Sequence, residues 1–379
     1  MGDGARVTSA PRGVTAAAEP LVPPVGSHNE WDPLEEIVVG RLDGATIPSD
    51  HPVGTCNIPP WAARLQGLAA GFKYPRLLIE RAQHELDAFV ALLGALGITV
   101  RRPDAVGHGR RFGTPDWSSR GFYNTCPRDS MLVIGDEIIE TPMAWPCRYF
   151  ETHSYRTILK DYFRRGARWT AAPKPQLTDE LFDSDFRVPE AGEPMRYILT
   201  EFEPVFDAAD FVRAGRDLFV TRSNVTNRMG IEWLRRHLGP GYRIHEIEGR
   251  CRTPMHFDTT FVPLAPGKVL VNPEYSDVDQ LPDVLDGRDV LVAPEPNRLD
   301  ERLLRITSMR GMWLSMNVLM VDEKRVIAER HHTDMLRALE TWGFEPIPCD
   351  LLHYAPFGGS FHCATLDIRR RGTLESYFG

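Results

Sequence analysis

The fold is decided by the stretch Met131-Leu132-Val133-Ile134-Gly135-Asp136-Glu137-Ile138-Ile139-Glu140. Two short apolar runs flank a Gly-Asp pair, and this order is typical of two strands joined by a tight hairpin turn. Residues 154–163 follow, and their apolar side chains have helical spacing. The stretch and its continuation therefore predict a structural unit built from a hairpin and a helix.

The same form recurs along the chain, as an apolar run that follows a polar turn and ends in Gly, Asn or Asp. Five such strands begin near residues 36, 131, 217, 269 and 318, and a helix follows all of them except the fourth. This recurrence predicts an internally repeated α/β fold. The uneven spacing leaves an ordinary mixed α/β domain as the alternative. The Pro- and Gly-rich residues 42–74 are predicted to form a loop.

Composition limits the class of protein. The chain has 379 residues, of which 42% are apolar and 25% charged, as is usual for globular proteins. Six cysteines without a CxxC pair argue against zinc and against a disulfide framework, and they favour a reducing, cytoplasmic location. A net charge of -8 disfavours nucleic acid as a partner. No apolar run approaches the roughly 18 residues of a membrane span.

The N-terminal end differs from the rest. Residues 1–26 are rich in Gly, Ala, Pro and Val with little periodicity, and we predict a disordered tail there. A transit peptide containing Arg6 and Arg12 is the alternative. Residues 27–379 are predicted to form a single domain.

A candidate nucleophile lies in Gly358-Gly359-Ser360-Phe361-His362-Cys363. Two glycines allow a tight turn and the close approach of a ligand, and a strand is expected to begin at Ala364. A cysteine at such a strand end can be held partly exposed in a cleft, where its thiolate can react. A buried structural cysteine is the alternative.

Acidic and basic candidates occur in three further segments. His256 and Asp258 are two apart in a predicted strand, so both would project from one face; a surface pair is the alternative. Asp207 and Asp210 are three apart in a small-residue turn, where helix capping is the alternative. Asp129 precedes a strand, beside Arg128, with which a local ion pair is the alternative.

Several common motifs are missing from the sequence. It contains no GxGxxG, P-loop or GxSxG pattern. The pair His331-His332 lacks partners at metal-binding spacing. The run Arg369-Arg370-Arg371 is predicted to be ion-paired structure or solvated surface. We therefore predict neither a metal nor an organic cofactor.

Five motifs, taken together and in this order, resemble the amidinotransferase family, which includes arginine:glycine amidinotransferase and the inosamine-phosphate amidinotransferases. They are PRDSMLVIGDEIIETPMAW (127–145), FDAADFVRAGRD (206–217), PMHFDTTF (254–261), WLSMNVLMVDEKRV (313–326) and GGSFHCATLDIRRRGTLESY (358–377). The likeness runs from about Asn29 to the C-terminus. It implies the pentein α/β-propeller, with five ββαβ-type modules around a pseudo-fivefold axis and the site in the central channel.

The resemblance also implies roles for particular residues. Cys363 would be the nucleophile, His256 the general acid and base, and Asp207 the residue that orients His256. Asp129 and Asp258 would hold the guanidinium of the donor, because carboxylates can accept its five hydrogen-bond donors in pairs. Ping-pong chemistry of this kind uses neither metal nor organic cofactor.

The chain departs from the arginine:glycine enzymes at three positions near these motifs. Tyr275 stands where those enzymes have the arginine of NPxR, which binds the donor carboxylate. Arg310-Gly311 stands where they have Ser-Ser, and Thr253 where they have Asn before Pro-Met-His. We expect all three, together with Met255, to bind substrate, and Arg310 to replace the lost cation. The changes disfavour glycine as the acceptor.

The function implied is transfer of an amidino group from a guanidino donor, with L-arginine expected and ornithine released, to an amine in specialised metabolism. The expected partners are these two small molecules, and the expected assembly is a homodimer. One alternative is an arginine deiminase-like hydrolase on the same scaffold. Another is a non-catalytic pentein binding protein.

Overall fold

The computed structural model describes residues 23–56, 58–278, 281, 283–297 and 313–377. Most of the predicted tail and the candidate Arg310 lie outside these residues. The strands are β1 (Leu34–Val39), β2 (Thr99–Arg101), β3 (Phe112–Gly113), β4 (Ser118–Ser119), β5 (Met131–Ile134), β6 (Glu137–Glu140), β7 (Arg168–Ala171), β8 (Phe211–Ala214), β9 (Asp217–Val220), β10 (Arg243–Glu246), β11 (Phe261–Ala265), β12 (Lys268–Val271), β13 (Asp289–Val292), β14 (Leu319–Met320), β15 (Arg325–Glu329), β16 (Glu345–Cys349) and β17 (Thr365–Arg370).

The α-helices of the described part come between these strands. They are α1 (Pro52–Thr55), α2 (Pro60–Ala69), α3 (Arg76–Ala95), α4 (Pro127–Ser130), α5 (Arg156–Arg164), α6 (Arg228–Leu238) and α7 (Thr333–Thr341). None of them has both the length and the apolar character that a membrane crossing requires.

Within the described residues, five three-stranded sheets repeat one arrangement. Their strand orders are β17-β1-β2, β5-β6-β7, β8-β9-β10, β11-β12-β13 and β14-β15-β16. In each sheet the middle strand pairs antiparallel with the first strand and parallel with the third. A parallel pair needs a crossover connection, and α3, α5, α6 and α7 lie in four of these connections. The predicted repeat of hairpin and helix is confirmed.

The opening hairpin shows why the local sequence forms this unit. β5 and β6 pair from Met131–Glu140 to Ile134–Glu137. The turn between them is two residues long, and its Gly135 has a φ of +58°, a conformation that costs little only without a side chain. All eight strand residues are buried, so the apolar runs cover both faces of a core sheet.

The uneven spacing of the repeat has a simple origin. The sequence pattern selected the middle strand in three sheets, β1, β9 and β12, but the first strand in the other two, β5 and β14. It missed the partner strands β8 and β11. Both are buried throughout, and β11 contains Pro263, which weakened its strand pattern.

β1 and β17 close the chain on itself. They pair antiparallel with Ile37 opposite Asp367 and Val38 opposite Leu366. The segment that precedes β17 is also packed from behind, because Phe89 of α3 contacts Phe361 edge to face at 5.1 Å between ring centroids. Helix α3 and β1 therefore support the turn that carries Cys363.

A buried ion cluster joins three of the five sheets. Arg213 of β8 donates to Glu30 at 2.8 Å, to Asp367 of β17 at 2.9 Å and to the carbonyl of Val133 in β5 at 2.9 Å. Arg370 of β17 donates to the same Asp367 at 2.7 Å. Buried charges are tolerated when each is paired and hydrogen-bonded, and these are. The prediction of an ion-paired role for the basic run is confirmed for Arg370 and for Arg369, which donates to Glu35 at 2.8 Å.

Two predictions about local structure are wrong. Residues 42–74 contain α1 and α2, each of which has a proline at its first helical position. Proline is well tolerated there because the first N–H groups of a helix have no helical partner, so the prolines mark helix starts. The predicted tail also extends too far, because Val25 is fully buried and Gly26 donates to Ile368 at 2.9 Å.

Candidate active site

The turn that presents Cys363 depends on its glycines. Gly358 and Gly359 have φ values of +121° and +142°, a region that residues with a side chain rarely adopt. A Cβ atom on Gly359 would lie 2.5 Å from the Cys363 sulfur, and one on Gly358 would lie 2.7 Å from that of Cys126. Cys363 itself is buried, with 3% exposure.

We expect Gly359→Ala to slow reaction at Cys363 by roughly 100-fold, because an added methyl group must displace the sulfur or the turn. The measurement is the rate of covalent adduct formation with donor. Gly166→Ala is the matched control, since Gly166 has a φ of +100° but no atom within 4 Å of its added Cβ. A wild-type rate in Gly359→Ala would contradict this prediction.

Asn317 holds the nucleophile turn from the adjacent module. Its side-chain carbonyl accepts the backbone N–H groups of Ser360 and Cys363, both at 3.1 Å, and its Nδ2 donates to the Cys363 sulfur at 3.1 Å. An N–H donor aimed at sulfur stabilises the thiolate. Sequence reasoning did not select Asn317, although it lies in the WLSMN motif that supported the family resemblance.

Asp258 lies on the other side of the sulfur. Its Oδ2 atom accepts from the Cys363 thiol at 3.1 Å and from His362 Nδ1 at 2.8 Å. Burial alone would raise its pKa, but the bonds and charge of His362, the charge of His256 and the thiol bond lower that pKa to about 2. The nearby carboxylates have the opposite effect on Cys363. Burial raises the pKa of its thiol well above the usual range, and Asp258, Cys126 and Asp129 raise it further.

His256 does not lie in a strand, so the predicted alternation of His256 and Asp258 on one face is wrong. β11 begins only at Phe261, and His256 has a φ of +67°. A positive φ at a residue with a large side chain costs energy and recurs at functional sites. The His256 ring contacts two other carboxylates, with Nε2 3.1 Å from Asp207 and Nδ1 3.7 Å from Asp129.

The carboxylates around His256 keep it charged. Burial would lower its pKa, but Asp129, Asp207 and Asp210 raise that pKa to about 10. The imidazolium form is therefore the one present near neutral pH, and it can give up a proton. Asp210, which does not line the cavity, accepts from Ser223 at 2.6 Å and from Thr226 at 2.5 Å.

Arg148 is a buried residue of the site that sequence reasoning missed. It donates to Asp129 Oδ2 at 2.7 Å, is clamped by Glu151 at 2.7 and 3.1 Å, and lies 3.7 Å from Asp207. The predicted alternative, an ion pair of Asp129 with its neighbour Arg128, is wrong. Arg128 instead donates to Asp367 at 2.7 Å and to the carbonyl of His362 at 2.8 Å.

A cavity of about 330 Å³ adjoins this site, although Cys363, Asp207 and Asp258 are not among its lining residues. Asp129 and His256 line it, with Gly358 of the nucleophile turn. The predicted substrate-binding residues Thr253, Met255 and Tyr275 also line it, whereas Arg310 lies outside the described residues. Its further lining includes Arg148, the aromatic side chains Phe122, Tyr123 and Trp145, and the thiols of Cys56, Cys126 and Cys251. The volume suits a small ligand.

One group of side chains in the described residues has metal-binding spacing. Ligand atoms of Glu329, His331 and Asp350 lie within 4.8 Å of one another. Both oxygens of Asp350 already accept from Arg330 at 3.1 Å, so a guanidinium supplies the positive charge there. None of these residues is among those lining the cavity.

Comparisons with known proteins place this architecture. No protein-family model matches the chain. The chain is similar to L-arginine:L-lysine amidinotransferase of Pseudomonas savastanoi pv. phaseolicola, with 48% identity over 354 residues that cover 93% of this chain and 96% of that protein.

Solved structures agree with this similarity. SxtG, an amidinotransferase of the saxitoxin biosynthetic pathway from Microseira wollei, matches with a TM-score of 0.89 and 52% identity, covering 94% of this chain and all of that one. The inosamine-phosphate amidinotransferase StrB1 from Streptomyces griseus matches with a TM-score of 0.83 and 38% identity, covering 94% and 99%. The five-sheet topology and these matches define a protein of the pentein fold. Within that class, the chain belongs to the amidinotransferase family, and both predictions are confirmed.

Proposed function

We propose that this amidinotransferase works through a covalent amidino intermediate on Cys363, with L-arginine as donor and a primary amine as acceptor. One observation carries the proposal. Asp129 and Asp258 each have one carboxylate oxygen held, by Arg148 and His362 respectively. The other oxygen of each, Oδ1, is buried and has no hydrogen-bond partner in the described part of the chain.

Two buried carboxylate oxygens without a hydrogen bond call for a ligand with several N–H groups, because unsatisfied buried acceptors are costly. His256 Nδ1 lies 3.7 Å from Asp129 Oδ1, beyond hydrogen-bond distance. A guanidinium has five such donors in one plane. Its two edges can pair with Asp129 and Asp258 and so hold the central carbon against the Cys363 sulfur. Asp258 is already in contact with that sulfur.

In the first half-reaction, donor binding brings a positive charge beside the carboxylates that keep the thiol protonated. The thiol's pKa then falls, the proton leaves to solvent, and the thiolate attacks the guanidinium carbon. The bond between the central carbon and the nitrogen that carries the donor's alkyl chain then breaks. His256 gives its proton to that nitrogen, which departs as an amine. Ornithine leaves when the donor is arginine, and the amidino group stays on sulfur as a cation.

In the second half-reaction, an acceptor amine takes the place of the first product. His256, now neutral, removes a proton from this amine as its nitrogen attacks the amidino carbon. The carbon–sulfur bond breaks and the thiolate departs. The product is a new guanidinium, and His256 is again charged. Asp207 accepts from His256 throughout and keeps its ring in place.

The identity of the substrates follows partly from the relatives. The name of the Pseudomonas enzyme gives arginine and lysine as its substrates, and one structural relative is described as an amidinotransferase of the saxitoxin biosynthetic pathway. We propose arginine as donor here, too. Thr253 and Tyr275, which differ from the residues of the arginine:glycine enzymes, both line the cavity, and this difference supports an acceptor other than glycine.

Incubation of the enzyme with arginine, with and without a panel of amines, tests the proposal. We expect ornithine in stoichiometric amount without amine, and catalytic amounts with the correct amine. Agmatine as donor tests the carboxylate, since it differs from arginine only there. Citrulline formed without amine would mean hydrolysis and would overturn the assignment.

We further propose that residues 27–379 form a single domain and that the protein is a homodimer. The pairing of β1 with β17 supports the first, because it joins the two ends of the chain in one sheet. One cooperative unfolding transition is expected, and light scattering measures the assembly.

A further inference from the structure

We propose that His362 is a positioning residue for the donor site: it holds Asp258 by one oxygen so that the other faces the guanidinium. This inference rests on the proposed role of Asp258. It concerns a side chain directly before the nucleophile for which sequence reasoning assigned no role.

The two ring nitrogens of His362 each lie beside a buried carboxylate. Nδ1 lies 2.8 Å from Asp258 Oδ2, and Nε2 lies 3.4 Å from Glu30 Oε2. The ring is 4% exposed. Each nitrogen therefore has a carboxylate oxygen within reach. His362 thus joins the donor site to the buried ion cluster.

Glu30, the carboxylate next to His362 Nε2, is fixed by two hydrogen bonds. The Nε and Nη2 atoms of Arg213 donate to its two oxygens at 2.8 Å each. The backbone of His362 is held separately, because Arg128 Nε donates to its carbonyl at 2.8 Å. Ring and backbone are therefore both fixed, and the Nδ1–H bond has a set direction.

The hydrogen bonds to Asp258 explain why its carboxylate needs a fixed donor. Its Oδ2 atom is shared by His362 and the Cys363 thiol. Once the thiol has ionised, sulfur no longer donates and instead repels the carboxylate. His362 is then the remaining donor that keeps Oδ2 in place and Oδ1 directed toward the donor. Asp129 has a comparable anchor in Arg148, itself clamped by Glu151.

A purely structural role makes a different prediction. If His362 only fills space and pairs with Glu30, the bond from Nε2 matters and the bond from Nδ1 does not. Two substitutions separate these cases. The amide nitrogen of Asn reaches about as far as Nδ1, and that of Gln about as far as Nε2. His362→Asn therefore keeps a donor for Asp258, and His362→Gln keeps one for Glu30.

The experiment measures arginine affinity by calorimetry in a Cys363→Ser background, where binding occurs without chemistry. We expect His362→Gln to weaken binding by about 10- to 100-fold, the usual effect of losing a hydrogen bond to a charged group. His362→Asn should stay within about threefold of the parent. His332→Gln is the matched control, because His332 is similarly buried at 6% exposure but lies at the start of α7, in the module of β14, β15 and β16.

A double-mutant cycle with Asp258→Asn tests the route of the effect. If His362 acts through Asp258, His362→Gln adds almost nothing once Asp258 has been changed. Equal weakening in both backgrounds, or weaker binding by His362→Asn than by His362→Gln at equal thermal stability, would overturn the inference. Unchanged binding in Asp258→Asn alone would instead contradict the proposed function, so the two failures are distinguishable.

Discussion

Cys363→Ala is expected to abolish the covalent adduct and to lower the transfer rate by roughly 10⁴-fold or more, as removal of a nucleophile does in other enzymes of covalent mechanism. The sulfur forms the bond to the amidino carbon, and neither Asp258 nor Asn317, which contact it, can replace it. The measurement is mass spectrometry of intact enzyme and peptides after mixing with arginine and quenching in acid.

The prediction also states which cysteine carries the adduct. Cys126 also lies beside the glycine turn, with its sulfur 3.2 Å from the carbonyl of Gly358, so it is the competing site of modification. The adduct should be found on the peptide that contains Cys363. Cys349→Ala provides the matched control, since Cys349 is a buried thiol in β16 whose sulfur lies 3.9 Å from the carbonyl of Asp350. An adduct on Cys126, or full activity in Cys363→Ala, would refute the assignment.

Asp129→Asn and Asp258→Asn are expected to fold and to slow adduct formation by about 100-fold or more, because each removes one charge of a buried charged pair. Asparagine has nearly the same shape as aspartate. It replaces a charged acceptor by a neutral amide that also donates, and its NH₂ group would face the N–H groups of the guanidinium. Single-turnover measurement of adduct formation checks both variants.

The control for these variants is another buried carboxylate. Asp217 is fully buried and pairs with Arg243 and His245 in the β8-β9-β10 sheet. Asp217→Asn should lower the free energy of unfolding while leaving adduct formation near the wild-type rate. A normal rate in Asp129→Asn or Asp258→Asn would remove that residue from the donor site.

Much of the fold was predictable because its determinants are local. The hairpin of β5 and β6 follows from two apolar runs and a glycine turn within ten residues, and α3 from apolar residues at helical spacing. The prediction of a loop over residues 42–74 failed because proline occurs both in loops and at the first position of helices. Pro52 and Pro60 begin helices in a segment that was predicted to be a loop.

Within the site, sequence reasoning selected Cys363, His256, Asp207, Asp129 and Asp258 but missed Arg148 and Asn317, which contact two of them. The ion pair with Arg128, which was the alternative reading of Asp129, does not form, and the buried partner of Asp129 is Arg148, 19 residues further along. His256 and Asp258 were expected on one face of a strand, whereas the positive φ of His256 turns the two toward different groups.

The sequence by itself determined the repeated α/β unit, the glycine turn before Cys363 and, through its motifs, the family. These depend on residues that are contiguous, so spacing and residue type are sufficient. Only the tertiary structure decided which charges meet: Glu30 reaches His362 across 332 positions, and Cys363 reaches Asp258 across 105. Such contacts depend on how separate sheets pack, because a buried charge takes whichever partner the packing places beside it.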